Sequence, residues 1–137
     1  MSTDASILAT RIADCVVLAV PDDLTEDRLR QLEEVAHRCT TSVALRSAVF
    51  DMSALKYADI AEFNALMAIA DSMRILGVQP LMVGLNPGIV MHLVEVGASP
   101  RGVQTFLDLA DALAALGLTT DGPAHEAGTP GLNQTEA

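Results

Sequence analysis

The sequence alternates short runs of β-branched and aliphatic residues with longer stretches whose apolar residues recur at helical spacing. The run Ala48-Val-Phe50, which has no polar residue, is typical of a strand buried on both faces of a sheet. After Asp59, by contrast, Ile60, Phe63 and Met67 fall on one helical stripe. Because strands that alternate with helices are joined by parallel crossovers, the pattern predicts a layered α/β sheet.

The predicted order of elements is β-β-α-β-α-β-α-β-α. Residues 7–10 and 15–20 are predicted as a hairpin whose connection is 11–14, and Pro21 ends its second strand. Asp59 and Glu62 form a capping-box pattern at the start of the second helix, while Asn86 and Pro87 are typical of the start of the third. The other strands are expected at 43–50, 81–83 and 103–107, and the helices at 24–39, 59–76, 87–96 and 109–116.

A chain of 137 residues, half of them hydrophobic, is long enough for one domain with a single core. We expect this domain to occupy residues 1–117. Residues 118–137 are rich in Gly, Thr and Pro and contain few large apolar residues, so they are expected to form a flexible C-terminal tail. The predicted fold is a mixed, mostly parallel five-stranded sheet with about four helices.

Charge and cysteine content restrict the partners and the compartment. Eight basic residues against 18 acidic ones give a net charge of −10 without a basic cluster, which argues against nucleic acid and anionic membranes. Two isolated cysteines favour a reducing cytoplasm. The first residues lack the positive charge of a secretory signal, and the charge-free stretch 75–94 is broken by prolines and glycines. The expected protein is cytoplasmic, with protein or small-molecule partners.

The sequence contains no recognisable catalytic or cofactor-binding motif. The glycine-rich loops that hold dinucleotides or triphosphates are missing, and no serine lies in a nucleophile elbow. His37, His92 and His125 have no His or Cys at metal-ligand spacing. We therefore predict no cofactor, no metal and no enzymatic activity.

Polar residues concentrate where the predicted third and fourth strands lead into helices: Asp51, Ser53, Asp59, Glu62 and Asn86. In open α/β sheets, ligands and partners bind at this edge. A simpler interpretation of Asp59 and Asn86 is that they are ordinary helix caps. The two interpretations are compatible, because a capping side chain can also contact a partner.

Three segments together carry a family resemblance: Val49-Phe-Asp-Met-Ser-Ala-Leu55, Ala58-Asp59 and Val83-Gly-Leu-Asn-Pro-Gly-Ile-Val-Met-His-Leu-Val-Glu-Val-Gly97. With this order of elements, the chain resembles the sulphate-transporter and anti-sigma-antagonist (STAS) domain, and is most similar to RsbS-like stressosome subunits. The resemblance covers roughly residues 5–116. The motifs are specific as a set, and each alone is weak.

The resemblance implies a non-catalytic regulator. It implies binding to a serine-protein kinase of the RsbT type or to an anti-sigma factor, and co-assembly with sensor paralogues of the RsbR type as a homo- or hetero-oligomer. The partner-binding residues that it implies are Asp51, Ser53, Asp59, Ile60, Ala61 and Glu62.

The chain departs from the family at both phosphoacceptor positions. The usual acceptor is a Ser or Thr directly after the Asp at the start of the second helix, where this chain has Ile60. A second acceptor Thr, found in the third helix of R-type subunits, is matched here by His92. Neither residue can serve as the hydroxyl acceptor, so we expect a partner contact that is permanent or is switched in another way.

Alternatives remain open at this stage. Ile60 is either an exposed anchor for a partner or a buried member of the stripe with Phe63 and Met67. His92 is either an ordinary helix residue, the simpler interpretation, or a pH sensor. The protein as a whole could instead be a purely structural stressosome shell subunit, or a small-ligand-binding module with nucleotide or lipid against Gly84–Gly88 and Asp51.

Overall fold

The computed structural model describes residues 7–42, 44–100 and 102–118. The predicted order of strands and helices is confirmed. The elements are β1 (Ala9–Ile12), β2 (Cys15–Ala19), α1 (Glu26–Ser42), β3 (Ser47–Asp51), α2 (Ile60–Ile75), β4 (Gln79–Val83), α3 (Pro87–Glu95), β5 (Gln104–Phe106) and α4 (Leu109–Ala115). Apart from Leu118, the expected tail lies outside the described residues.

The five strands lie side by side in the order β1-β2-β3-β4-β5. β1 is antiparallel to β2, whereas the pairs from β2 to β5 are all parallel. In the parallel part, Val49 of β3 is level with Val17 of β2 and Leu81 of β4. The mixed, mostly parallel five-stranded sheet with four helices is as predicted.

Alternation along the central strands divides the apolar residues between two faces of the sheet. Side chains such as Leu18, Phe50 and Met82 join the larger core with the buried residues of α1, α2 and α3. Their neighbours in the chain, such as Val17 and Val49, join a smaller core with α4. Three helices therefore cover one face and α4 covers the other, which explains why the middle residues of β3, Ala48, Val49 and Phe50, are all apolar.

The connection between the two hairpin strands is shorter than predicted. β1 extends through Arg11 and Ile12, which were assigned to the connection, and the turn consists of Ala13 and Asp14 alone. Ala13 has a φ of 55°, in the left-handed region, as the first residue of a tight hairpin turn often does. The Arg11 guanidinium donates to the carbonyl oxygens of Ala13 (2.7 Å) and Ala44 (3.0 Å). The edge strand β1 can accommodate the charged Arg11 because its side chain stays exposed and its guanidinium binds backbone carbonyl oxygens.

Two other boundaries differ by several residues. α1 ends at Ser42 instead of 39, with the Thr40 and Thr41 hydroxyls donating to carbonyl oxygens three residues earlier. β3 consequently begins at Ser47 rather than 43 and includes Asp51 as its last residue.

The charge-free stretch 75–94 contains the end of α2, all of β4 and most of α3, as predicted. Within the described ranges, every helix is either too short or too polar to cross a membrane.

The two cysteines differ in burial. Cys15 is completely buried and Cys39 only partly. Burial raises the pKa of the Cys15 thiol above its ordinary value of 9.0, and the charge of Asp14 adds to the effect, whereas a hydrogen bond with Ser47 opposes it.

We expect iodoacetamide to modify Cys39 faster than Cys15 in the native protein at pH 8, because the reactive form is the thiolate. In denaturant the two rates should converge, as peptide mass spectrometry can measure. Equal rates in the folded protein would contradict the burial of Cys15. Above pH 9.0 the unfolded chain loses the Cys15 proton, whereas the folded chain retains it. The free energy of unfolding therefore falls as the pH rises above that value.

Candidate functional site

The carboxyl ends of β2, β3 and β4 meet at one edge of the sheet because these strands are parallel. The helices that follow them, α1, α2 and α3, all pack on the same face. In open α/β sheets, a binding crevice forms where the strand order reverses, because the helices on either side of that point lie on opposite faces. Here the strands follow one another in chain order without a reversal, so this edge has no such crevice. The edge is therefore a surface more than a pocket.

Asp51 and Ser53 form a closed turn directly after β3. One oxygen of the half-buried Asp51 carboxylate, Oδ1, accepts hydrogen bonds from the Ser53 backbone N–H (3.0 Å) and the Ser53 hydroxyl (2.7 Å). The Met52 N–H donates to the Val83 carbonyl oxygen (2.8 Å), which joins the turn to the end of β4. These bonds give Asp51 and Ser53 a structural role in addition to any contact with a partner.

Gly84 lies directly against this turn. Its φ is 75°, and a Cβ at this position would lie 3.1 Å from the Ser53 Cβ and 3.2 Å from the Ser53 backbone nitrogen. Ser53 therefore fills the space between Asp51 and Gly84, where one alternative interpretation placed a small ligand.

The predicted capping box at the start of α2 is present. The Glu62 N–H donates to Asp59 Oδ1 (2.7 Å), and the Asp59 N–H donates to Glu62 Oε1 (3.0 Å). Ile60 and Ala61 occupy the exposed first turn between them, and Ile60 has 40% of its surface accessible. Ile60 thus does not join the buried stripe of Phe63 and Met67, because the first turn projects beyond the core.

The loop between β3 and α2 is held from both sides. Leu55 and Ala58 are buried in the larger core. The Lys56 N–H donates to the Asp22 carbonyl oxygen (2.9 Å), and Tyr57 forms a parallel bridge with Asp23. These contacts fix the direction from which the chain enters α2.

Tyr57 connects this loop to α3. Its ring centroid lies 5.9 Å from that of His92, with 38° between the ring planes, and 58% of the tyrosine is exposed. The two rings line a cleft of about 110 Å³ together with Lys56, Asn86 and Ile89. Sequence reasoning missed Tyr57 because 35 residues separate it from His92 and no local pattern relates them.

The structure thus brings the predicted residues together in two pairs, Asp51 with Ser53 and Asp59 with Glu62. In the part of the chain that is described, no hydrogen bond or ion pair joins one pair to the other. We call the segment 51–62 the rim. His92 adjoins the rim through Tyr57.

The rim carboxylates carry uncompensated charge. Arginines 28, 30, 46 and 74 each lie within 4.0 Å of a carboxylate elsewhere in the molecule. Among the described residues, no cation lies that close to Asp51, Asp59 or Glu62. The rim therefore presents three acids and a single base, Lys56.

No three His, Cys, Asp or Glu side chains within the described ranges are grouped so that they could hold a metal ion. A larger cavity of about 660 Å³ lies at the opposite edge of the sheet, where Asp14, Arg46, Ser47 and Gln79 line it. Arg46 and Asp14 already pair there at 3.6 Å.

Comparison with known proteins places this geometry in a family. The family model described as STAS domain matches residues 6–112. The RsbT co-antagonist protein RsbRD of Bacillus subtilis (strain 168) is 28% identical over 102 residues, which make up 74% of this chain and 36% of RsbRD. The chain therefore spans little more than a third of that relative's length.

Solved structures with the same fold include stressosome proteins. A serine-to-glutamate variant of RsbS from Moorella thermoacetica has a TM-score of 0.68 and 28% identity, covering 81% of this chain and 94% of that one. A chain of the stressosome, described as a signal integration and transduction hub, has a TM-score of 0.66 and 27% identity over 80% and 96%. The anti-sigma factor antagonist SpoIIAA, unphosphorylated, shares the fold at 12% identity, with a TM-score of 0.58 over 80% and 94%.

Gly84→Ala is expected to destabilise the protein by about 1–3 kcal/mol more than Gly77→Ala. Both glycines have positive φ values, but a Cβ at Gly77 has no neighbour within 4 Å, whereas one at Gly84 meets the Ser53 turn. Urea denaturation of the two variants measures the difference. Equal losses would mean that the contact with Ser53 is unimportant.

Asp59→Ala is expected to lower the free energy of unfolding by about 0.5–2 kcal/mol, because the first turn of α2 loses its capping acceptor. Asp59→Asn should retain most of the stability, since an amide oxygen caps equally well. The asparagine variant thereby separates the charge of Asp59 from its capping role. If Asp59→Asn lowers the free energy of unfolding as much as Asp59→Ala does, the amide does not replace the carboxylate as a cap.

Proposed function

The chain belongs to the STAS domain family, and on that premise we propose that it is a non-catalytic regulator which binds a serine-protein kinase or an anti-sigma factor through the rim. The observation that carries the proposal is Ile60. It occupies the first position of α2 after the capping Asp59, with 40% of its surface accessible. Together with Tyr57, of which 58% is exposed, Ile60 gives the polar rim an apolar and aromatic surface that is suited to contact another protein.

A protein partner fits the carboxyl edge better than a small ligand does. Sites for small molecules commonly measure about 300–1,000 Å³, whereas the cleft beside Tyr57 measures about 110 Å³. Ser53 occupies the space next to Gly84, and the strand order provides no crevice. At the carboxyl edge, these features favour a protein partner over a small ligand.

The names of the relatives support a regulatory role for this chain. RsbRD is described as a co-antagonist of RsbT, and SpoIIAA as an antagonist of an anti-sigma factor. No combination of acid, base and nucleophile comes together among the described residues of the rim, which supports a role in binding without catalysis.

We propose that the contact is not switched by phosphorylation at the start of α2. Ile60 has no hydroxyl group, and the Ser53 hydroxyl donates to Asp51 at 2.7 Å. A phosphate on Ser53 would place about two negative charges beside that carboxylate. The nearby Asp51 carboxylate therefore disfavours Ser53 as a substitute phosphate acceptor.

We propose that the chain assembles with sensor paralogues of the RsbR type as a homo- or hetero-oligomer in the cytoplasm, and the likeness to a stressosome chain supports the assembly. A purely structural shell subunit would share this assembly but would not bind the kinase. Light scattering after size-exclusion chromatography, with and without the paralogue, tests assembly, and kinase binding distinguishes the two roles.

Ile60→Glu is expected to weaken binding of an RsbT-type kinase by about tenfold or more, since it replaces the apolar contact by a charge. Calorimetric titration of the kinase into each variant measures this. Ile75→Glu is the matched control, because Ile75 is an exposed isoleucine at the other end of the same helix. Equal affinity of the Ile60 variant and the wild type would refute the proposed site.

Incubation of the wild type with the kinase and ATP should add no phosphate to residues 53–62, as intact and peptide masses can show. Ile60→Ser supplies a hydroxyl at the family position and should gain one phosphate if the kinase docks at the rim. Stoichiometric phosphorylation of Ser53 in the wild type would overturn the unswitched contact.

A further inference from the structure

The edge strand β1 directs part of its backbone away from the sheet. Its neighbour among the described residues is β2 alone. The Ala19 N–H donates to the Leu8 carbonyl oxygen (2.9 Å), so these two residues are a hydrogen-bonded pair of the antiparallel ladder. Because such pairs alternate with non-hydrogen-bonded ones, Thr10 also bonds to β2, whereas the N–H and C=O groups of Ala9 and Arg11 point outward.

This edge lacks the features that commonly prevent edge strands from pairing with another chain. Residues 7–13 contain no proline, lysine or acid, although the whole chain has 18 acidic residues. The register with β2 continues without a bulge. The guanidinium of Arg11 is bonded to the carbonyl oxygens of Ala13 and Ala44, so its charge is held back from the edge. The opposite edge strand, β5, has only 3 residues, and very short edge strands are protected by their length.

The sheet face beside β1 is only partly covered. Ile12 packs against the smaller core, and Thr10 and Leu8 lie on the same face because they precede it by two and four residues. α4, which covers this face, packs mainly against β3, β4 and β5. Leu8 is consequently 68% exposed. A further strand beside β1 would therefore cover apolar surface as well as bind the outward backbone groups.

We infer that two copies of the chain pair antiparallel through β1, so that their two sheets become one. This inference rests on the homo-oligomer of the proposed function. With Thr10 of one copy opposite Thr10 of the other, Ala9 and Arg11 exchange their outward N–H and C=O groups as hydrogen bonds. In the same register Leu8 lies opposite Ile12 of the second copy, which forms an apolar cross-strand pair on each side of the twofold axis. The edge is thus complementary to itself.

The expected dimer is weak at low salt. A single short strand supplies less than the ~800 Å² per partner of a standard interface. Each copy also carries a net charge of −10, which opposes association. Because salt screens this repulsion, and the paired segment contains no acid to form an ion pair, dimerisation should strengthen as salt is raised.

The experiment measures the mass of the full chain by sedimentation velocity, from micromolar to millimolar protein and at low and high salt. Thr10→Lys and Thr10→Glu each place like charges opposite one another at the twofold axis. Each variant alone should therefore lose the dimer that the wild type forms at high concentration. An equimolar mixture of the two should dimerise again, because a lysine then lies opposite a glutamate. Recovery by mixing excludes misfolding as the cause of the loss.

A second pair of variants tests the backbone bonds. Ala9→Pro removes an outward N–H without removing a bond to β2, and should abolish the dimer. Ala9→Ser is the matched control, because it changes the same residue but retains the N–H, and it should dimerise like the wild type. Thermal melting checks that each variant is folded.

The outcomes separate the inference from the proposed function. If the wild type is monomeric at millimolar protein and high salt, the inference fails, while titration of the kinase still decides the contact at the rim. If the wild type dimerises and the folded Thr10 and Ala9→Pro variants dimerise equally well, the homo-oligomer stands and the β1 interface fails.

Three other results would also overturn the inference. Failure of the mixed Thr10 variants to dimerise would contradict the register with Thr10 at the axis. Growth of the wild type beyond a dimer would indicate head-to-tail pairing of β1 with β5, which does not close. A wild type that is monomeric alone but pairs through β1 with an RsbR-type paralogue would assign the edge to that partner.

Discussion

Burial of β3 on both faces governs the positions of the other parts of the molecule. Its residues 47–50 are buried, and each pairs with β2 on one side and β4 on the other. Because helices cover both faces, Ala48, Val49 and Phe50 are apolar, and the polar residue Ser47 at the start of the strand is buried with a hydrogen bond to Cys15. The next polar side chain, Asp51, is the last residue of β3 and lies at the carboxyl edge of the sheet. The chain leaves the sheet at Asp51, and this position determines the contacts that follow. These are the turn with Ser53, the close approach of Gly84 and the anchored loop to α2.

The rim residues combine a structural role with the binding role that we propose for them. Asp51 and Asp59 each use a carboxylate oxygen to hold backbone N–H groups, while their negative charge faces no nearby cation among the described residues. Ile60 is held between the two partners of a capping box, so its exposure is fixed by the geometry of the first helical turn. A helix start that is rigid before binding loses little conformational entropy on association. This rigidity suits the rim to the proposed contact, which has no covalent switch.

Features that depend on neighbours in the chain were predicted well. The capping box of Asp59 and Glu62 and the start of α3 at Asn86 and Pro87 rest on spacings of one to three residues, and both are present. Features that join distant segments were not predicted. Arg11 was assigned to the hairpin connection, whereas it lies in β1 and reaches Ala44. The contact of Tyr57 with His92 and the packing of Ser53 against Gly84 gave no signal in the sequence.

The sequence by itself determined the alternation of strands and helices, the two-sided burial of β3 and the capping residues at the starts of α2 and α3. These properties depend on side-chain periodicity and on hydrogen bonds within about four residues, both of which are written in the local order of amino acids. Only the tertiary structure decided that Ile60 is exposed, that Val90, Met91 and Val94 of α3 remain in water and that His92 adjoins the rim. A helix can be rotated about its axis without changing its sequence pattern, and only packing against the sheet selects which side remains in water.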